Sequence, residues 1–486
     1  MSSLKNKTVS GLIWSLSDLF AKQGIQFIVQ IILARLLLPE DFGIIGMITV
    51  FIAISNSIIN SGFSQALIRE KNPTQEDYST VFYYNLAVSI LLYIILYSSA
   101  GFISNFFREP QLVSIIRVIS LVIIINSFGL IQRTMLEKQI DFKTLTKVSF
   151  ISSVLTGIIA VLFAFLGFGV WALVFQMLAM QFFIALFLML NNRWLPSLVF
   201  SFDSFKRLFG FGWKLLVSGL LAQLYQNLYY LIIGRFFSAT ELGYYTNARR
   251  LKDMPSVAIT SAIQKVSYPV LSSINDENVR LKSGFKKIIK NSIFITFPIM
   301  LGLSAIAEPL ITFLFGNNWI PSIPYFQILC LAGMLYPLHA INLNILQVKG
   351  RSDLFLKLEI IKKIMGLTSI VIVLFLNLGI IGLLWALVIN SYLGYLINSY
   401  YSAKLLDYNV IEQIKDISKM FVSSIFMAIV VYVIGLSIDF NSFITLLIQI
   451  PFGIIVYILL SKIFKIEELN TMKEIIKPYI RKIKRN

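Results

Sequence analysis

One cysteine, Cys330, and one histidine, His339, are the only residues of their kinds in the chain. A lone cysteine excludes an internal disulfide and any cysteine-based metal cluster. A lone histidine leaves no His-rich metal site. Charge is scarce too, at 14% of 486 residues against 57% hydrophobic. Acidic residues are the scarcer sign: 24 Asp+Glu face 42 Lys+Arg, for a net charge of +18. The chain contains no GxxxxGK[ST] loop, no GxSxG elbow and no metal-ligand spacing, so no enzyme, cofactor or metal is expected. Strand-like alternation with short turns is absent, which argues against a membrane barrel. No cleavable signal peptide is expected, because the first apolar run is long, contains Asp18 and Lys22, and lacks a cleavage site.

What is abundant is apolar sequence. Mean hydropathy is +0.79, and runs of about 20 apolar residues, each long enough to cross a bilayer as a helix, recur throughout. The fold class is therefore an all-α polytopic membrane protein. Fourteen spans are read near 11–37, 42–67, 79–106, 112–133, 147–166, 169–190, 211–236, 245–272, 288–315, 324–347, 358–377, 380–401, 418–438 and 443–462. Basic residues concentrate in alternate loops, as in Arg133/Lys138/Lys143 and Lys282/Lys286/Lys287. That is the positive-inside pattern rather than a nucleic-acid surface, and it places both termini in the cytoplasm. The eighth span is the least apolar, carrying Arg249, Arg250, Lys252, Asp253 and Lys265. If it did not cross, every later loop would invert and the basic tail would lie outside. A charged helix that must cross is expected to face a water-filled interior.

The chain also repeats itself. GLIWSLSDLFAKQGIQFIVQIILARLLLPEDFG, within Ser10–Gly43, returns two hundred residues later as GWKLLVSGLLAQLYQNLYYLIIGRFFSATELG. At that offset Gln23 matches Gln223, Gln26 matches Gln226, Arg35 matches Arg235 and Gly43 matches Gly243. WALV recurs at Trp171 and Trp385, each after a Gly-rich turn. Spans 1–6 and 7–12 are thus two copies. Six is even, so the copies share one orientation and are related by a pseudo-twofold along the membrane normal. The expected division is an N-lobe, 1–200, a C-lobe, 201–405, and an added helix pair with a basic tail, 406–486. That tail, KEIIKPYIRKIKRN, is read as an interfacial segment on anionic lipid.

Polar residues mark one face of four helices. They are Ser15, Asp18, Lys22, Gln26 and Gln30 in the first; Thr49, Asn56, Asn60 and Ser64 in the second; Lys214, Ser218, Gln226 and Tyr230 in the seventh; and Arg249, Asp253, Ser256, Thr260 and Gln264 in the eighth. The functional reading is a hydrated cavity lined by Lys22, Gln26, Asn56, Asn60, Gln226, Arg249, Arg250, Asp253 and Lys265. Its cationic bias suits an anionic group. The competing reading is helix–helix glue and local pairing, since Asp18 with Lys22 and Arg249 with Asp253 are i,i+4 neighbours. Asp18 and Glu308 are candidates for ion or proton coupling.

LKNKTVSGLIWS, LARLLLPEDFGIIGM, LGYYTNARRL, VSYPVLS, LFGNNWIPSIP and LQVKGRSD, in that order and spacing, give a further lead. The chain resembles the bacterial Wzx-type polysaccharide flippases of the multidrug/oligosaccharidyl-lipid/polysaccharide exporter superfamily, in the branch of the colanic-acid exporters. The resemblance covers essentially the whole chain. It implies a protein of the bacterial cytoplasmic (inner) membrane. Such a protein moves an undecaprenyl-pyrophosphate-linked oligosaccharide across that membrane by alternating access, for O-antigen of lipopolysaccharide, capsule or exopolysaccharide. Its partners would be membrane lipid, the polyprenyl-pyrophosphate-linked glycan, and a polysaccharide polymerase and glycosyltransferases, with no nucleic acid. Lys22 and Arg249 are the positions it carries over to the pyrophosphate. The alternative within the superfamily is a drug antiporter, which predicts acidic cavity residues where this lining leans basic.

Overall fold

The computed structural model describes residues 23–60 and 62–483. Among these residues the chain is helical and contains no strand. In order the helices are α1 (Gln23–Leu36), α2 (Pro39–Asn60), α3 (Phe63–Arg69), α4 (Gln75–Phe107), α5 (Leu112–Ile119), α6 (Leu121–Lys138), α7 (Phe142–Phe165), α8 (Val170–Asn191), α9 (Phe202–Gln226), α10 (Leu228–Phe236) and α11 (Ala239–Ser273). There follow α12 (Asn278–Ala305), α13 (Ala307–Phe315), α14 (Ile323–Gly333), α15 (Tyr336–Val348), α16 (Ser352–Phe375), α17 (Gly379–Leu406), α18 (Val410–Ser437), α19 (Ser442–Ile463) and α20 (Glu468–Ile483).

This is a multi-pass membrane protein: eleven stretches among the described residues are long and apolar enough to cross a bilayer. The other three spans read from the sequence are also helical. The first is described only from Gln23, as the short apolar helix α1. The eighth is α11, whose charge keeps its hydropathy low. The eleventh is α16, which carries Glu359, Lys362 and Lys363 in its first half. The sequence reading places some helices as unbroken where the structure interrupts them. The seventh span divides at Asn227, whose Nδ2 donates to the Gln223 carbonyl at 2.9 Å and competes with the backbone ladder. The fourth divides at Ser120, whose Oγ donates to Ile116 O at 2.5 Å.

By compactness the chain forms two units, 1–246 and 247–486. In the first, polar side chains fix the helix starts. Thr74 and Asp77 form a reciprocal capping box at α4. Asp141 accepts from Thr144 N at 3.1 Å at the start of α7. Lys138 ends α3 by donating to Leu67 O at 3.0 Å and Ile68 O at 3.2 Å, and to Glu70 O, where the helix dipole favours a cation. The linker before α9 is pinned to α4: Ser197 N donates to Ser79 Oγ at 3.0 Å, Ser201 N donates to Thr80 Oγ1 at 3.0 Å, and Arg207 pairs with Asp77.

The same unit contains a direct consequence of the repeat. A Cβ on Gly43 would lie 1.7 Å from Ala239 O, and one on Gly243 would lie 1.8 Å from Pro39 O. Positions 39 and 43 correspond to 239 and 243 at the two-hundred-residue offset. Each copy's glycine therefore sits on the other copy's first turn. Such reciprocal contact is what a two-fold relation between equivalent segments produces. Backbones can approach this closely only because neither residue has a side chain.

In the second unit, α12 is the centre. Its Phe285, Ile289, Phe297 and Met300 are buried in one core with Leu338 and Ile341 of α15 and Met420 and Met427 of α18. The added pair is bound to this core. Tyr457 of α19 donates to Phe294 O at 2.9 Å, and Phe313 of α13 lies 5.3 Å from Phe443 of α19, centroid to centroid. Ion pairs reinforce it: Lys286 with Asp416 at 2.8 Å and Lys290 with Glu468 at 2.8 Å. Tyr408, in the turn before α18, donates to Asp416 at 2.5 Å. Burial, then that carboxylate, push its phenol pKa upward, so it stays a donor.

Candidate functional site

Asp18 and Lys22 lie outside the described residues. In the first unit Gln26 is exposed on α1, and Asn56 and Asn60 are half-buried on α2. Asn56 is engaged by a helix-to-helix chain: Asn126 Nδ2 of α6 donates to Asn56 Oδ1 at 2.9 Å, and Gln181 Nε2 of α8 donates to Asn126 Oδ1 at 2.7 Å. The sequence stripes did not include Asn126 or Gln181, which lie on α6 and α8. In this arrangement Asn56 acts as interhelical glue. Thr134 and Ser64 join in the same way at 3.1 Å. Gln226 is exposed near the end of α9.

The second unit holds the charged part of the stripe. Two of its small residues bond back to their own helix: Ser256 Oγ to Lys252 O at 3.1 Å, and Thr260 Oγ1 to Ser256 O at 2.7 Å. The charged residues do more. The Asp253 carboxylate is shared between two cations: Oδ1 lies 2.5 Å from Lys252 Nζ, and Oδ2 lies 3.5 Å from Arg249 Nε. Arg250 and Lys265 are exposed. Glu308 is exposed in the first turn of α13, and its carbonyl accepts from Thr312 Oγ1 at 2.8 Å.

Lys252 is the residue that sequence reasoning passed over. It is 1% exposed. Its ammonium donates to Tyr336 Oη at 3.1 Å and lies 4.5 Å from the centroid of that ring. Its methylenes cross Gly333 of α14, where a Cβ would fall 2.7 Å from Lys252 Cδ. Burying an ammonium is costly unless it is paired and hydrogen-bonded. Asp253 and Tyr336 supply both requirements. The available signal was the run Arg249-Arg250-Leu251-Lys252-Asp253, unusual for a crossing helix. In the repeat partner α2, the equivalent positions are Thr49, Val50, Phe51, Ile52 and Ala53. The charges are thus no requirement of this architecture. Together they form a cationic, carboxylate-buffered group that can exchange ion pairs with an anion.

His339, half-buried on α15, contacts Ser391 Oγ at 3.1 Å through Nε2 and Asn398 Nδ2 at 3.2 Å through Nδ1. It ties α15 to α17.

Fold and hydropathy define a multi-pass helical membrane protein. Its fold is that of lipid II flippase MurJ in the inward closed conformation, with a TM-score of 0.76 at 18% identity over 93% of this chain and 98% of that one. The chain belongs to the polysaccharide biosynthesis protein family, whose model matches residues 32–324. Among its relatives, the teichuronic acid biosynthesis protein TuaB of Bacillus subtilis (strain 168) is 27% identical over 90% of this chain and 91% of its own. The lipopolysaccharide biosynthesis protein WzxC of Escherichia coli (strain K12) is 25% identical over 81% of each chain.

Proposed function

We propose that this chain is a flippase that moves a polyprenyl-pyrophosphate-linked oligosaccharide, the repeat unit of a surface polysaccharide, across the bacterial cytoplasmic membrane. The carrier lipid of the leading form is undecaprenyl. The observation that carries the reading is the charged segment of α11, where Arg249 and Arg250 accompany a buried Lys252 paired with the partly exposed Asp253, a pair that the repeat partner lacks. Arg fits phosphate through charge-assisted, bidentate hydrogen bonds. The family and its relatives support a role in polysaccharide biosynthesis.

The two repeats, 1–200 and 201–405, act as rocking lobes that expose the headgroup alternately to each side while the polyprenyl tail stays in lipid. Lys22 and Arg249 contact the pyrophosphate; Arg250 and Lys265 add attraction. Asp18 and Glu308 are the positions assigned to coupling. Both termini are cytoplasmic, and the polymerase and glycosyltransferases of the pathway act on the same substrate before and after it crosses. A drug antiporter is disfavoured because Asp253, the acidic residue of the α11 polar stripe, is already paired with Lys252.

The test is complementation of a bacterial strain lacking its own flippase. Arg249→Ala is expected to lower glycan export at least tenfold at matched membrane levels, with Lys22→Ala falling in the same direction. Full export by both variants would remove the cationic-site reading.

A further inference from the structure

Asp253 occupies one side of the Arg249 guanidinium. Its carboxylate reaches Arg249 through Oδ2 and the buried Lys252 ammonium through Oδ1, so the side chain is held at one end and shared at the other. Lys252 in turn is fixed by Tyr336 of α15 and by the close passage over Gly333 of α14. A solvent-facing aspartate would swing away from Arg249; this one is anchored from the protein interior. Arg249 and Asp253 are both partly exposed, with side-chain exposures of 25% and 32%, whereas that of Lys252 is 2%. An anion can therefore reach the arginine side of this group and not the lysine side.

Resting on the reading of Arg249 as a phosphate contact, we propose that Asp253 is a resident counter-ion. Arg249 gives it up when the substrate's diphosphate binds and takes it back when the substrate leaves. Lys252 is the positioning residue that keeps the carboxylate in place. Two consequences follow from exchange. The empty carrier does not return across the membrane with an uncompensated arginine, which is costly in a low-dielectric setting. The internal carboxylate also competes with every external anion, which weakens binding enough for release on the far side. Binding that is too favourable in one state traps a ligand instead of passing it on.

The pair can be removed without altering net charge. Lys252→Met with Asp253→Asn deletes one positive and one negative charge together, leaves no buried ammonium unpaired, and removes the Asp253 carboxylate from Arg249. The probe is inorganic pyrophosphate, titrated by calorimetry into the purified full-length chain in detergent. The double variant is expected to bind about fivefold more tightly than wild type, the size of a partly exposed ion pair. With a lipid-diphosphate oligosaccharide in liposomes, its turnover is expected to fall together with its half-saturating concentration. The single Lys252→Met variant, which leaves Asp253 near Arg249 but without its anchor, should bind between wild type and the double variant. If the double variant binds pyrophosphate no better than wild type while Arg249→Ala binds worse, the counter-ion role is overturned and the phosphate role of Arg249 stands. If Arg249→Ala binds as wild type does, the underlying reading fails.

Discussion

Valine at Gly43 or at Gly243 is expected to abolish transport and most of the folded yield, whereas alanine at Gly101 is expected to leave both intact. The contrast follows from what each new Cβ meets. At Gly43 it would lie 1.7 Å from Ala239 O, at Gly243 1.8 Å from Pro39 O, and at Gly101 nothing lies within 4 Å. The obstructing atoms are backbone carbonyls at the starts of α11 and α2, so no rotamer change relieves the clash and the helices must separate. Overpacking of a tight core typically costs 1–3 kcal/mol when side chains can give way; here about 3 kcal/mol or more is expected. The two variants should be equally damaging, since the contact is reciprocal. Size-exclusion profiles of fluorescently tagged variants, with export measured in parallel, would check this. A monodisperse, fully active Gly43→Val protein would refute the crossing.

The second large effect concerns the buried ion pair, and it is asymmetric. Asp253→Asn leaves the Lys252 ammonium, 1% exposed, with Tyr336 as its remaining polar contact among those described above. Removing one partner of a buried pair costs about 3–5 kcal/mol, because a charge stays behind uncompensated. Lys252→Met is milder. The methylenes are replaced nearly in kind against Gly333, and Asp253, partly exposed, keeps Arg249 as a partner. The double variant should lie near wild type, since replacing a whole buried pair by uncharged residues of similar volume is often neutral. Thermal unfolding of the detergent-solubilised proteins should therefore order them with Asp253→Asn lowest and the other two close to wild type. Equal losses for both single variants would mean that the pair does not carry the burial cost assigned to it.

The architecture was largely legible because membrane helices announce themselves by composition and the repeat by a constant offset. Gly43 and Gly243 were matched as equivalent positions and pack reciprocally on each other's helix starts. Interruptions were harder to see. The break at Asn227, whose amide bonds to a carbonyl four residues back, falls on one residue that an apolar window does not register. The site was legible in part. Periodicity found Arg249 and Asp253, which share a face, and passed over Lys252, which points off that face into the protein. Its partner Tyr336 lies 84 residues away, a pairing that only the fold brings together. Periodicity also grouped Asn56 with cavity residues, although Asn126 and Gln181 engage it. A polar stripe reports that a helix face is not lipid-facing; it does not separate a wet wall from a polar seam.

The central claim is that Arg249 carries an anionic lipid headgroup across the membrane, and reconstitution tests it most directly. The purified protein would be placed in liposomes containing a fluorescent oligosaccharide on polyprenyl diphosphate. The fraction of headgroups that become accessible to an impermeant quencher would be followed over time. Wild type should transfer headgroups between leaflets, the Lys252→Met/Asp253→Asn variant should do so more slowly, and Arg249→Ala should stay close to protein-free liposomes. Transfer by Arg249→Ala at the wild-type rate, or none by wild type above the protein-free background, would contradict the account.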